Sequence, residues 1–289
     1  MPLCAAINSA PSISAAPHRL TLAAALIASV ALAACAAQTN VSLHMATAHT
    51  YAAELADTDA MLLSMQTGAV MEYTGGGQHF KLRENIVVRR PASLRVEALS
   101  ALGVALVLAA DSGQVTIYDP GRNTLMHGPA TAAVLDRYAR IPMAPEAAVR
   151  LLMGLSPDAG MLAFPPDLMI HPTDPNGLEI LRYKEPLGVT DDLGFGPDGY
   201  LAQVRETRAD GRVNYEVNYS DYQDIGGGQK FPRMIAASFP ITGASVTFRY
   251  DNPLINKDIP DSTFLLAPDH VVKHLDLGMI GGAVTAGRG

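Results

Sequence analysis

The sequence predicts a mainly β, α+β fold in one domain, with about 11 to 12 strands and about three helices. Three observations carry that prediction. Apolar residues alternate with polar ones at a period of two over most of the chain after Gly68, glycine- and proline-rich turns recur between these runs, and the helical periodicities are confined to the start and the middle. No low-complexity linker divides the chain, so a single domain over residues 48–270 is the simplest organisation.

The first helix is expected over Ala48 to Met65. There Tyr51, Leu55, Leu62 and Met65 recur at near-helical spacing, and Gly68 supplies a stop. The period then changes to two. Gly75-Gly76-Gly77 joins Ala69–Thr74 to His79–Arg90 as a hairpin, and Pro91 ends the second strand because proline cannot donate to a ladder. Leu94, Val96 and Ala98 alternate with Arg95 and Glu97, and Val104–Ala110, Val115–Tyr118 and Leu125–His127 continue the sheet. Ala98 to Ala110 carries no charge, yet it is too short to span a bilayer and Gly103 interrupts it, so a strand pair is expected.

Two short amphipathic helices follow, Ala130–Ala139 and Ala147–Met153, separated by Pro142 and Pro145. Pro157 to Pro175 reads as loop. Further strands are expected at Leu178–Tyr183, Tyr200–Glu206, Val213–Ser220, Phe231–Phe239, Ser245–Asp251 and Thr263–Leu266, and residues 271–289 read as a disordered tail.

Composition excludes several classes. The chain has 21 Lys+Arg against 28 Asp+Glu, a net charge of −7, and no basic cluster, so no nucleic-acid partner is expected. Neither glycine triplet is followed by Lys-Ser/Thr, and no GxSxG elbow occurs. The eight histidines are scattered; His270 and His274 stand four apart but lack the Glu of HExxH, so both are read as solvated surface residues. Asp191-Asp192 is followed by Leu193, Gly194 and Phe195 where a calcium loop would continue with oxygen ligands, so a turn is the expectation. No catalytic residues and no metal ligands are predicted, and a hydrolase has no nucleophile-base pattern to rest on.

The amino terminus carries a targeting signal. Leu20 to Leu32 is an uncharged apolar run of secretory h-region length after Arg19. Leu32-Ala33-Ala34-Cys35 resembles the bacterial lipobox, which implies removal of residues 1–34 and lipidation of Cys35 by a covalent diacylglycerol and an N-acyl chain, with 35–47 as lipidated Cys and tether. Cys4 would leave with the signal and Cys35 would be consumed, so the two cysteines make no disulfide.

The order of elements also resembles a known family. RRPASLRVEALSALG and QVTIYDP in early strands, then helices, then YSDYQDIGGGQKFPRMI and NPLINKDIPDSTFLLAP, look like the LolA/LolB superfamily of bacterial lipoprotein carriers and receptors. The resemblance spans about Ala48 to Pro268 and implies an unclosed, strongly curved antiparallel half-barrel with the helices as a lid over an apolar cavity. It implies a non-enzymatic protein that binds acyl chains of lipoproteins or lipids, with no cofactor. The lipobox places the chain nearer the membrane-anchored LolB-like receptors. Ala36, which is not the Asp of inner-membrane retention, implies an anchor on the periplasmic face of the outer membrane.

A periplasmic carrier protein is an implied partner, and a monomer is expected. The matching cargo-insertion loop is Leu99 to Gly103, with Leu102 nearest the tip, although a buried hairpin is an equal reading of those residues. The arginine that latches the lid in such carriers has no assigned residue. Alternation nominates Leu94, Val96, Ala98, Val104, Leu106 and Leu108 as cavity-lining strand residues, and Val134, Leu135, Leu152 and Met153 as their partners from the lid. A second reading, a structural or assembly lipoprotein with the sheet as a protein-docking surface, stays open at this point.

Overall fold

A computed structural model describes residues 48–163, 167–171, 177–226, 229–268 and 273–280. The chain divides into two units, residues 1–46 and 47–289. The signal segment, Cys35 and the tether lie outside the described residues.

The domain opens with helix α1, residues 48–61. Strands follow as β1 (Ser64–Gly75), β2 (Gln78–Arg89), β3 (Ser93–Ser100), β4 (Gly103–Asp111), β5 (Gln114–Asp119) and β6 (Thr124–Pro129). Helices α2 (Ala132–Ala139) and α3 (Pro145–Leu152) then interrupt the sheet. It resumes with β7 (Asp167–His171), β8 (Glu179–Lys184), β9 (Thr190–Phe195), β10 (Leu201–Thr207), β11 (Val213–Gly226), β12 (Gln229–Phe239), β13 (Ala244–Tyr250), β14 (Leu254–Ile255) and β15 (Lys273–Asp276), before helix α4 (Leu277–Ile280).

All fifteen strands belong to one sheet. Its order is β15-β6-β5-β4-β3-β2-β1-β13-β12-β11-β10-β9-β8-β7, with β14 beside β1, and every pairing is antiparallel except β15 on β6. The end strands β15 and β7 do not pair, so the sheet is an open, curved half-barrel.

Period-two patterning sets which face is inside. The register aligns Ile117, Leu108, Val96, Ile86 and Thr67 in one row across β5 to β1, all buried. A second row, Leu181, Leu193, Val204, Val217, Ala237 and Val246, crosses β8 to β13. Both rows join one apolar core with Leu135, Val149, Leu152 and Met153 of the helical insertion. A one-residue slip would turn each row to solvent, which fixes the register. The β1–β2 hairpin closes through Gly76 and Gly77 at φ +58° and +74°, the left-handed pair that a two-residue type I′ turn demands.

Several boundaries differ from the sequence reading. Helix α1 stops at 61 and β1 starts at Ser64, because Met65, Thr67, Ala69, Met71 and Tyr73 are buried in alternation and the sheet outcompetes a continued helical turn. The stretch read as loop contains β7, whose pairing to β8 places Asp167 opposite Arg182. Asp191-Asp192 is not a turn; both residues lie within β9. Thr263–Leu266 is not a strand, since Pro260 caps a 3-10 turn over Asp261–Phe264 that buries Phe264. Residues 273–276, placed in the tail by the sequence, hydrogen-bond along β6.

Candidate functional site

The β3–β4 hairpin turns through Ala101 and Leu102, and Leu102 is 100% exposed. Only its first few residues leave the core: Leu108 and Ala110 are buried, Leu106 is half-buried, and Gly103, Val104 and Ala105 are exposed. No charge lies between Ala98 and Ala110. The Ser100 hydroxyl accepts from the Leu102 amide at 3.2 Å and donates to the Gly103 carbonyl at 2.9 Å, which fixes the turn without another side chain. The result is an apolar tip standing in solvent, its turn closed by the Ser100 hydroxyl.

The nominated lining residues divide by position. Val96 stands opposite Leu108 and Ala98 opposite Leu106, so β3 and β4 present them to one face. Leu94, Val96, Leu108, Leu135, Leu152 and Met153 are buried in the packed core, and Leu106 and Val134 pack against it. Ala98 is half-buried. Val104 follows a register shift after Ala98, pairs with Leu99, and is 41% exposed beside the Leu102 tip. These residues come together as one wall of the interior, with Val104 displaced to the hairpin end.

Cavities open elsewhere among the described residues. A groove of about 240 Å³ runs beneath α1, between Leu55 and Met61 on one side and Leu201, Tyr222 and Pro232 on the other, with Gly154 and Leu155 at its floor. A wider cavity of about 440 Å³ lies between the α2–α3 linker and β10–β11, with Met143, Phe239, Asp158 and Glu206 in its wall.

A charged clamp holds α1 over the groove. The Asp59 carboxylate meets the Arg150 guanidinium of α3 at 2.6 Å and the Arg90 guanidinium at the end of β2 at 2.9 Å. Arg150 also donates to the Ser156 carbonyl at 2.7 Å, and Arg90 to the backbone of Asp59 and Leu62. Tyr219 and Tyr250 donate from the sheet to the carbonyls of Leu155 and Leu152, at 2.5 and 2.8 Å, tying down the end of α3. Burial raises both tyrosines well above the usual phenol range, so they remain donors. Tyr51 of α1 stacks on Phe195 with centroids 4.2 Å apart and donates to Glu179. Sequence reading missed the clamp because its members are far apart along the chain; the one local signal was the paired arginine before Pro91.

No arrangement among the described residues resembles a catalytic centre. Thr74, His79 and Glu72 do line up, with Thr74 Oγ1 2.9 Å from His79 Nδ1 and Glu72 3.7 Å from the other ring nitrogen. These are cross-strand neighbours on the outer face of β1–β2, exposed and without a cavity or an oxyanion donor. Among the described residues, no helix is long and apolar enough to cross a membrane.

No family model and no curated protein matches the chain. Among solved structures, a DUF1329 family protein from Desulfovibrio piger ATCC 29098 is similar at 12% identity and TM-score 0.50, covering 75% of this chain and 95% of that one. A LolA superfamily protein, NE2245 from Nitrosomonas europaea, is similar at 11% identity and TM-score 0.48, covering 71% and 91%. A domain named for outer membrane lipoprotein sorting, from Vibrio parahaemolyticus, aligns at 7% identity and TM-score 0.44, covering 74% and 94%. The open curved sheet with its helices is the half-barrel architecture that the sequence led us to expect.

Proposed function

We propose that this LolA/LolB-like chain is a non-enzymatic lipoprotein, anchored through a lipidated Cys35 on the periplasmic face of the outer membrane. It binds acyl chains of lipoproteins or lipids beneath its helices and passes them into the membrane. The observation that carries this reading is Leu102, fully exposed at the tip of an uncharged hairpin that projects from the half-barrel. An apolar tip of that kind gains free energy by entering a bilayer, at roughly 25 cal/mol per Å² of apolar surface removed from water.

Acyl chains enter through the groove under α1. Its volume of about 240 Å³ falls below the about 300–1,000 Å³ of typical ligand sites. Binding therefore requires α1 to lift, and the Asp59 clamp sets how readily it does so. Lifting α1 exposes the packed interior to the groove, where methionines such as Met65 and Met153 adapt to a flexible chain.

Purification of a Cys35→Ala chain followed by mass spectrometry of extracted lipid tests the reading. Stoichiometric acyl lipid is expected. A folded protein that is consistently lipid-free and takes up none on incubation with phospholipid vesicles would refute it.

A further inference from the structure

The row Tyr183, Asp191, Glu206 and Tyr215 runs across β8 to β11, each residue opposite the next in register. Asp191 is 0% exposed, and neither of its carboxylate oxygens has a hydrogen-bond partner. Glu185, the first residue of the β8–β9 connection, buries an oxygen in the same condition. Asp158 reaches in from the loop after α3, and ligand atoms of Asp158, Glu185 and Asp191 all lie within 4.8 Å of one another. Tyr215, 5% exposed, directs a hydroxyl with no hydrogen bond of normal geometry toward Glu206, Asp191 and Asp158. Asp158, Glu206 and Tyr215 line the 440 Å³ cavity, so the cluster is reachable from solvent.

We infer that Asp158, Glu185 and Asp191, backed by Glu206 and the Tyr215 hydroxyl, form a binding site for a hard divalent cation, calcium by ligand type. A buried carboxylate is ordinarily satisfied by donors or a cation, because leaving it bare costs several kcal/mol. Among the described residues, the groups set against Asp191 are acidic: Glu206 stands opposite it in register, and Asp158 and Glu185 bring ligand atoms within 4.8 Å. The nearby guanidiniums are engaged outside the cluster, Arg182 with Asp192 and Arg205 with Glu216.

The donor set is all oxygen and has no imidazole or thiolate, which excludes the preferences of zinc and copper. Three carboxylates from a loop, a turn and a strand suit the irregular six to eight oxygens of calcium, with water from the cavity completing the shell; magnesium demands a near-ideal octahedron. The ion would pin the loop after α3 to β9, coupling the helical insertion to the far edge of the sheet.

The test is calorimetric titration of calcium chloride into the metal-stripped full chain in detergent, with thermal melts alongside. Wild type is expected to take up calcium at one saturable site, with Kd no weaker than about 10⁻³ M, at least about tenfold in preference to magnesium, and to melt higher when loaded. Asp191→Asn and Asp158→Asn should each weaken uptake by more than about tenfold, while Asp57→Asn on the exposed face of α1 leaves it unchanged. Asp191→Asn should fold at least as well as metal-free wild type, since it removes a bare buried carboxylate. A folded wild type with no saturable calcium uptake, equal preference for magnesium, or wild-type uptake in both cluster variants would overturn the assignment.

Discussion

The guanidinium of Arg150, 2% exposed, lies 2.6 Å from the carboxylate of Asp59, so the only described helix before the sheet is bound to the insertion in the middle of the chain by a buried charge pair. Removing one partner from such a pair is far more damaging than never having built it. Asp59→Ala, which strands Arg150, should lower stability by about 3–5 kcal/mol in urea denaturation. Adding Arg150→Met should recover part of that loss, and the double-mutant cycle should return a coupling energy of at least about 1 kcal/mol.

Leu102→Asp should leave stability within about 0.5 kcal/mol of wild type, because the side chain is fully exposed and makes no packing contact to lose. Acyl-lipid content should be unchanged. Transfer of a bound acylated cargo to liposomes should fall sharply; a transfer rate equal to wild type would remove the hairpin tip from the mechanism.

Glu84 makes stability depend on pH. It is 4% exposed on β2, between Ala69 and Ala98, and burial pushes its carboxyl from 4.5 up to about 8. Between those values the folded chain holds a proton that the unfolded chain releases. Its contribution is therefore complete below about pH 4.5, declines as pH rises to about 8, and stays lost above. Glu84→Gln should flatten this part of the melting-temperature profile and be more stable than wild type at pH 8, by on the order of a few kcal/mol.

Gly154 closes the floor of the groove at φ +72°, and a Cβ there would lie 2.6 Å from Cγ of Pro232. Gly154→Ala should destabilise the chain by at least about 1–2 kcal/mol from backbone strain alone. Because the displaced Pro232 narrows the groove, uptake of a fluorescent fatty acid should also weaken. Unchanged uptake in the folded variant would place the acyl route elsewhere.

What the sequence revealed of this molecule follows the range of the interactions involved. Hairpins such as β1–β2 were readable because glycines and alternating apolar residues sit side by side in the chain. The same alternation put Val96 and Leu108 on one face of adjacent strands, since a strand's period survives whatever packs on it, and the register sets them opposite each other. It failed at Val104, where a register shift turns the strand at the point that matters most for the hairpin tip. Local sequence also misled at Asp191-Asp192, because paired acids near Gly194 carry turn chemistry, and only the pairing of β9 with β8 and β10 buries Asp191. The Asp59, Arg90 and Arg150 clamp joins three distant segments and has no periodic signature at all.

Entry of acyl chains beneath α1 is tested most directly by titrating a fluorescent diacylated lipopeptide into the folded chain and into a variant with a narrowed groove. Saturable one-to-one binding to the folded Cys35→Ala chain is expected, competed by unlabelled lipopeptide and weakened by adding Gly154→Ala, which narrows the groove floor, in a variant whose circular dichroism is unchanged. A folded wild-type domain with no saturable lipopeptide binding would contradict it.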